Sequence, residues 1–237
     1  MVLGDSLSDT GNAGRFCNGP VWVELLAREL GLPLRPARLG GTNFAVGGAR
    51  ISGGDSDLAV QAAALRERAG GELDPLALYV VYAGGNDVLA AMMGLGFRRA
   101  AIRSARGLAG IVAELAEMGA CSFLVPNLPD LGLTPVAARF PRPVAQIARS
   151  VTQTFNAELE QALGEVEASR AVAIRRLDVF GEVDAMTAGD SGGADRSLLF
   201  CDSIHPAAEV HRHIAALAFR CLEQGTAWPA RGYPATT

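Results

Sequence analysis

Five short apolar runs recur along this chain, and the stretches between them have the length and period of helices. That pattern restricts the fold more than any other feature. "MVL" (1–3), "TNFAV" (42–46), "LALYVVYA" (76–83), "CSFLVP" (121–126) and "AVAIRRL" (171–177) have strand-like length and β-branched or aromatic content. Helices are expected at 20–30, opened by Pro20 and closed at Gly31, at 56–69, opened by Ser56 and closed at Gly70-Gly71, and at 97–118, closed at Gly119. Two more follow at 143–168 and 207–224. Strands alternating with helices need crossover connections, which produce a parallel sheet covered on both faces. The expected architecture is a three-layer α/β/α sandwich around a five-stranded parallel sheet. A length of 237 residues with 49% hydrophobic and 19% charged residues suits one domain over 1–237 with a substantial core.

Composition narrows the partners. A formal net charge of −4 gives no broad basic surface, so nucleic acid is not an expected partner. Arg98, Arg99, Arg103 and Arg106 crowd one helical segment, where a solvated face is the ordinary explanation and a phosphate site the lesser one. No apolar run reaches the roughly 18 residues of a membrane span. Cys17, Cys121, Cys201 and Cys221 lack paired C-x-x-C spacing, so thiolate metal sites are not expected and buried or partly buried thiols are. No leader precedes the first run, so the expected compartment is the cytoplasm as written, or a secreted or periplasmic one if the N-terminus is truncated.

Ligands of doubly wound sheets sit beyond the carboxyl ends of the strands, and the polar blocks of this chain follow its strands. Ser6 follows the first run, Gly47-Gly48 the second and "GGND" (84–87) the third. "DSIHP" (202–206) puts Asp202 three residues before His205, just ahead of a helix that Pro206 can open. A serine hydroxyl needs a base to take its proton, and imidazole suits that task near neutral pH. His205 is the candidate base, and Asp202 can hold its other nitrogen. Charge built on a carbonyl oxygen needs fixed N–H donors, for which the backbone of Ser6 and Gly48 and the side-chain amide of Asn86 are candidates.

"GDSLSDTGN", "NFAVGGA", "GGND" and "DSIHP", in this order from residue 4 to 206, resemble the sequence blocks of the GDSL, or SGNH, hydrolase family. The resemblance implies a flavodoxin-like sheet and hydrolysis of carboxylic esters, lipid esters among them, through an acyl-enzyme, with no metal and no other cofactor. It implies Ser6 as nucleophile and oxyanion donor, Gly48 and Asn86 as the rest of the oxyanion hole, and Asp202 and His205 as the remainder of the triad. Gly48, five residues after Asn43, is the glycine the block selects over Gly47.

Other readings compete with this one. Alone, Ser6 in a Gly-Asp-Ser turn reads as a turn former or helix cap; the coincidence of four blocks reverses that. Asp5, Asp9, Asp87, Asp202 and His205 could instead ligate the metal of a phosphohydrolase, and a doubly wound fold could serve as a non-catalytic binding module. Asp5 and Asp9 read as turn and capping residues, and Asp87 as orienting its loop or capping the next helix. His211 and His213 flank a buried stripe of Val210, Ile214, Leu217 and Cys221 and read as structural or solvated, two residues being the wrong spacing for a shared metal on one helical face. Trp22 is expected in the core. Loops at 87–97, 126–143 and 187–200 are expected to shape the pocket.

Overall fold

A computed structural model describes residues 1–92, 96–188 and 199–224. Four strands form its sheet: β1 (Val2–Gly4), β2 (Leu78–Tyr82), β3 (Ser122–Pro126) and β4 (Ala173–Leu177), parallel throughout and in the order β1-β2-β3-β4. The first three are buried almost along their whole length, as strands sandwiched between helical layers must be. The edge strand β4 carries Arg175 and Arg176, both half-buried, and Arg176 pairs with Glu167 at 2.5 Å. Charge on an edge discourages pairing with another chain.

The expected fifth strand, 42–46, is absent as a strand, although this segment lies along the free edge of β1. Val2 N–H donates to Thr42 O (3.0 Å), Phe44 N–H to Val2 O (2.7 Å) and Val46 N–H to Gly4 O (3.1 Å), yet only one residue pair, Val2 with Asn43, forms a parallel bridge. The ladder breaks because a side chain takes its next rung. Gly4 N–H donates to Gln61 Oε1 (2.8 Å), and Gln61 Nε2 donates back to Gly4 O (2.8 Å). The segment still keeps the place of a strand, so the chain passes first to one side of β1 and then to the other. This is the reversal that opens a crevice beyond the end of β1 in doubly wound folds.

Among the described residues the helices are α1 (Trp22–Glu29), α2 (Leu58–Arg68), α3 (Gly85–Met92), α4 (Phe97–Glu117), α5 (Pro135–Ala138), α6 (Arg142–Ser169), α7 (Val179–Ala188) and α8 (Ala208–Gln224). Helix α6 packs along α4, which also meets α2 and α3, while α8 packs on α1 and α7. These are the two outer layers of the sandwich. Five of the eight match the expected helices to within two residues; α3, α5 and α7 lie in stretches that read as loops or carried no expectation. Helix α8 starts at Ala208 rather than at Pro206, because Pro206 is held in an antiparallel bridge with Phe200. Arg98, Arg99, Arg103 and Arg106 all face solvent on α4, as a solvated face requires.

The core fills from both sides of the sheet. Leu3, Tyr79, Val81, Phe123 and Leu124 from the strands meet Trp22, Leu58, Leu108, Leu115 and Phe155 from the helices. The four cysteines are free and half-buried.

Gln61 is itself buried, so Gln61→Leu would strand the Gly4 N–H in a dry environment. The expected cost is about 1–3 kcal/mol of unfolding free energy, read by urea denaturation; an unchanged midpoint would show that Gly4 finds another partner.

Candidate active site

Strand β1 ends in a tight turn. The Asp5 carboxylate accepts Leu7 N–H (3.0 Å), and the Asp5 carbonyl accepts Ser8 N–H (3.1 Å). This Asx-type turn lifts Ser6 off the end of the strand. Ser6 is 8% exposed.

The loop from 199 to 207 delivers the imidazole. Cys201 N–H donates to His205 O (2.9 Å) and Ala207 N–H to Leu199 O (2.8 Å), closing the loop on itself. Inside it Asp202 Oδ1 accepts Ile204 N–H (2.8 Å) and His205 N–H (2.7 Å), while Asp202 Oδ2 meets His205 Nδ1 at 2.6 Å. Partial burial alone would raise the Asp202 pKa, but the Ile204 N–H and then the His205 ring and N–H outweigh it and hold the carboxyl below its ordinary value. An ionised carboxylate only accepts, so Nδ1 carries the proton and Nε2 keeps its lone pair. That lone pair faces Ser6 Oγ at 3.0 Å. Residues 199 positions apart in sequence thus complete a chain of hydroxyl, imidazole and carboxylate.

The donor blocks converge on the same end of the sheet. Gly47 N–H is already committed to Asp9 Oδ2 (2.8 Å), whereas among the described residues neither Gly48 N–H nor Ser6 N–H has a partner. Gly48 has φ +81°, a conformation open to glycine, and empty space where a side chain would stand. Asn86 gives one amide hydrogen to Ala49 O (2.8 Å), which leaves the other free. Asp87 accepts Ile51 N–H (3.2 Å) and the Ser104 hydroxyl (3.2 Å), so it orients the 49–51 loop. Burial pushes the Asp87 pKa up.

Asp9 is fully buried and collects Gly11, Asn12, Ala13 and Gly47 N–H groups. Among the described residues no three ligand-type side chains cluster as an ion would need. His211 Nδ1 accepts Trp22 N–H (3.2 Å), and burial, reinforced by the nearby His205, lowers its pKa to about 4. It is a neutral structural group, more deeply buried than its place beside the apolar stripe suggested. His213 pairs with Glu182 (3.2 Å). Asn127 joins β3 to α7 through Asp178 (2.8 Å) and Phe180 N–H (2.8 Å).

One contributor carries no signal in the sequence. Phe16, in an irregular loop, lies with its ring 5.2 Å from the His205 ring, and a side chain at Gly47 would strike it within 2.1 Å. It packs between the imidazole and the glycine turn. Of the three loops expected to shape the site, 126–143 contains a 3-10 turn at Leu131–Leu133 and α5, while 93–95 and 189–198 lie outside the described residues.

Comparison with known proteins follows the same line. A family model described as GDSL-like Lipase/Acylhydrolase matches residues 1–218. "Lipase 1" of Photorhabdus luminescens is 34% identical over 150 residues, covering 59% of this chain and 23% of that protein. "Esterase EstA" of Pseudomonas aeruginosa is 31% identical over 223 residues, covering 71% of this chain and 34% of that one. The chain therefore spans about a quarter to a third of the length of these relatives. Among solved structures, a single-residue variant of Axe2, an acetyl xylan esterase from Geobacillus stearothermophilus, superposes with a TM-score of 0.62 at 14% identity over 93% of this chain and 92% of that one. At such identity the likeness establishes the fold.

Asp5 makes the site sensitive to pH. Burial, with Asp87 adding to it against the Leu7 N–H, raises its pKa to about 7. The native state holds that proton to about pH 7, while an unfolded chain releases it near pH 4. Stability present below pH 4 is therefore lost as pH rises to 7, on the order of 4 kcal/mol in all. Unfolding free energies of wild type and Asp5→Asn should diverge over that window, with wild type falling; parallel curves would refute the assignment.

Proposed function

The chain belongs to the GDSL-like lipase/acylhydrolase family, and we propose that it hydrolyses carboxylic esters through an acyl-enzyme carried by Ser6. The observation that supports this most is the unbroken relay from Ser6 Oγ to His205 Nε2 (3.0 Å) and from His205 Nδ1 to Asp202 Oδ2 (2.6 Å).

In this reading Ser6 Oγ attacks the ester carbonyl as its proton passes to His205 Nε2, and Asp202 stabilises the imidazolium. The carbonyl oxygen, now an anion, is received by Ser6 N–H, Gly48 N–H and the free amide hydrogen of Asn86, donors fixed before the reaction and needing no reorganisation. The tetrahedral adduct collapses, the alkoxide leaves with the proton from His205, and a water activated by the same imidazole cleaves the acyl-Ser6 ester. Lipid esters fall within the same chemistry. The rival reading as a metal-dependent phosphohydrolase draws on Asp5, Asp9, Asp87, Asp202 and His205, but the hydrogen bonds of these carboxylates to backbone donors and to the imidazole favour the ester reading.

A fluorophosphonate should label Ser6, and hydrolysis of p-nitrophenyl butanoate should survive EDTA. Folded Ser6→Ala should lose at least about 10³-fold in kcat and Asp202→Asn about 10²–10⁴-fold. Folded Ser6→Ala that still turns over normally, or activity abolished by the chelator, would overturn the proposal. For Asn86→Ala the expected loss is about 10²–10³ in kcat; wild-type turnover would remove Asn86 from the oxyanion hole.

A further inference from the structure

Three consecutive residues, Phe16, Cys17 and Asn18, lie along the segment that carries the imidazole, and no helix or strand holds them. The Phe16 ring stands 5.2 Å from the His205 ring, and Asn18 Oδ1 accepts Ala208 N–H (2.8 Å). Between these contacts the Cys201 thiol donates to Phe16 O (3.4 Å), a partner 185 residues away in the chain. The three contacts make a seam between the loop after β1 and the loop before α8.

A second thiol sits on that seam. The Phe16 carbonyl and the Asn18 N–H, which both face the Cys201 sulfur, belong to the two peptide groups that flank Cys17. In a planar trans peptide that carbonyl oxygen is about 3 Å from the next Cα, so the Cys201 sulfur is within about 6 Å of Cys17 Cα. From there a disulfide asks for side-chain rotation and adjustment of an irregular loop, with the fold unchanged. Both thiols are half-buried, so a small oxidant can reach them. Cys121 and Cys221 donate instead to Gly119 O (3.4 Å) and Arg176 O (3.7 Å).

We propose that Cys17 and Cys201 form a cross-linking site, in which a small-molecule disulfide oxidises the pair to one bond that staples the 16–18 loop to the loop carrying Asp202 and His205. The step is thiol–disulfide exchange. One cysteine thiolate attacks the S–S bond of oxidised glutathione, releasing one glutathione thiolate and leaving a mixed disulfide; the second cysteine thiolate then displaces the other glutathione. Two electrons and two protons pass from the cysteines to the two glutathione molecules. Burial is the main cause that raises both thiol pKa values, with Cys201 adding to it at Cys17 and Asp202 adding to it at Cys201, so the exchange quickens as pH rises. A bond closing so long a stretch of chain restricts the unfolded state strongly.

The test incubates the reduced chain and its Cys17→Ser, Cys201→Ser and Cys121→Ser variants, all folded, with oxidised glutathione at about pH 8.5, quenches in acid and digests with trypsin without reductant. Trypsin leaves the four cysteines on four separate peptides, Cys17 on 16–28 and Cys201 on 197–212, so the mass of a linked product identifies its pair. Wild type and Cys121→Ser should give the 16–28/197–212 product and lose two titratable thiols. Their melting temperatures should rise by about 5 °C or more over the reduced forms and fall back with dithiothreitol. Cys17→Ser and Cys201→Ser should show neither the linked product nor the rise. Glutathione adducts alone, unreacted thiols, a different pair, or linkage seen only after unfolding in urea would overturn the site, and linkage without a rise in melting temperature would overturn the staple. None of these measurements needs turnover, so the outcome is independent of the ester-hydrolase reading.

Discussion

Everything at the site depends on how three residues, Val2 to Gly4, are held. A strand this short has little surface of its own to bury, so its position comes from hydrogen bonds on both flanks: β2 on one side, the 42–46 segment on the other, and the Gln61 amide closing on Gly4. Because Gly4 is pinned through both its N–H and its carbonyl, the turn that follows has a fixed starting point and direction. Ser6 inherits its place from that clasp. The same backbone carbonyl also receives Val46 N–H, which sets the register of the glycine turn against the turn that carries Ser6.

The second half of the site is built by a different rule. Asp202 and His205 are three residues apart, and one carboxylate oxygen binds two backbone N–H groups while the other holds the ring. Orientation of the imidazole is therefore local to its loop. The loop in turn is anchored by Val136 N–H on Ser203 O (2.9 Å) and by Asn18 Oδ1, which accepts Ala208 N–H (2.8 Å) at the start of α8. Phe16 closes the assembly from the side.

The alternation of apolar runs and helical periods was enough to read a parallel three-layer fold, because burial on both faces leaves a continuous apolar imprint on a strand. It misread 42–46 for a physical reason: whether a segment is a strand depends on its partner's free N–H groups, and here a glutamine 57 residues from Gly4 takes one of them. Helices α3 and α7 escaped because both follow a strand with almost no connecting loop. At the site, the hydrogen-bonded order of Ser6, His205 and Asp202 was legible because a hydroxyl, an imidazole and a carboxylate stand in recognisable blocks after predicted strands. Phe16 and Gln61 were not. Their significance lies in who their neighbours are across space, and no local spacing encodes that.

The two ends of the relay differ in how far apart their partners lie along the chain. The carboxylate–imidazole contact closes a three-residue loop and can form in a largely unfolded polypeptide, but the imidazole–hydroxyl contact needs nearly the whole sequence in place, with β1 docked and α8 packed on α1. The Ser6–His205 contact therefore reports whether β1 and the 199–207 loop are docked in register, which the Asp202–His205 contact alone does not.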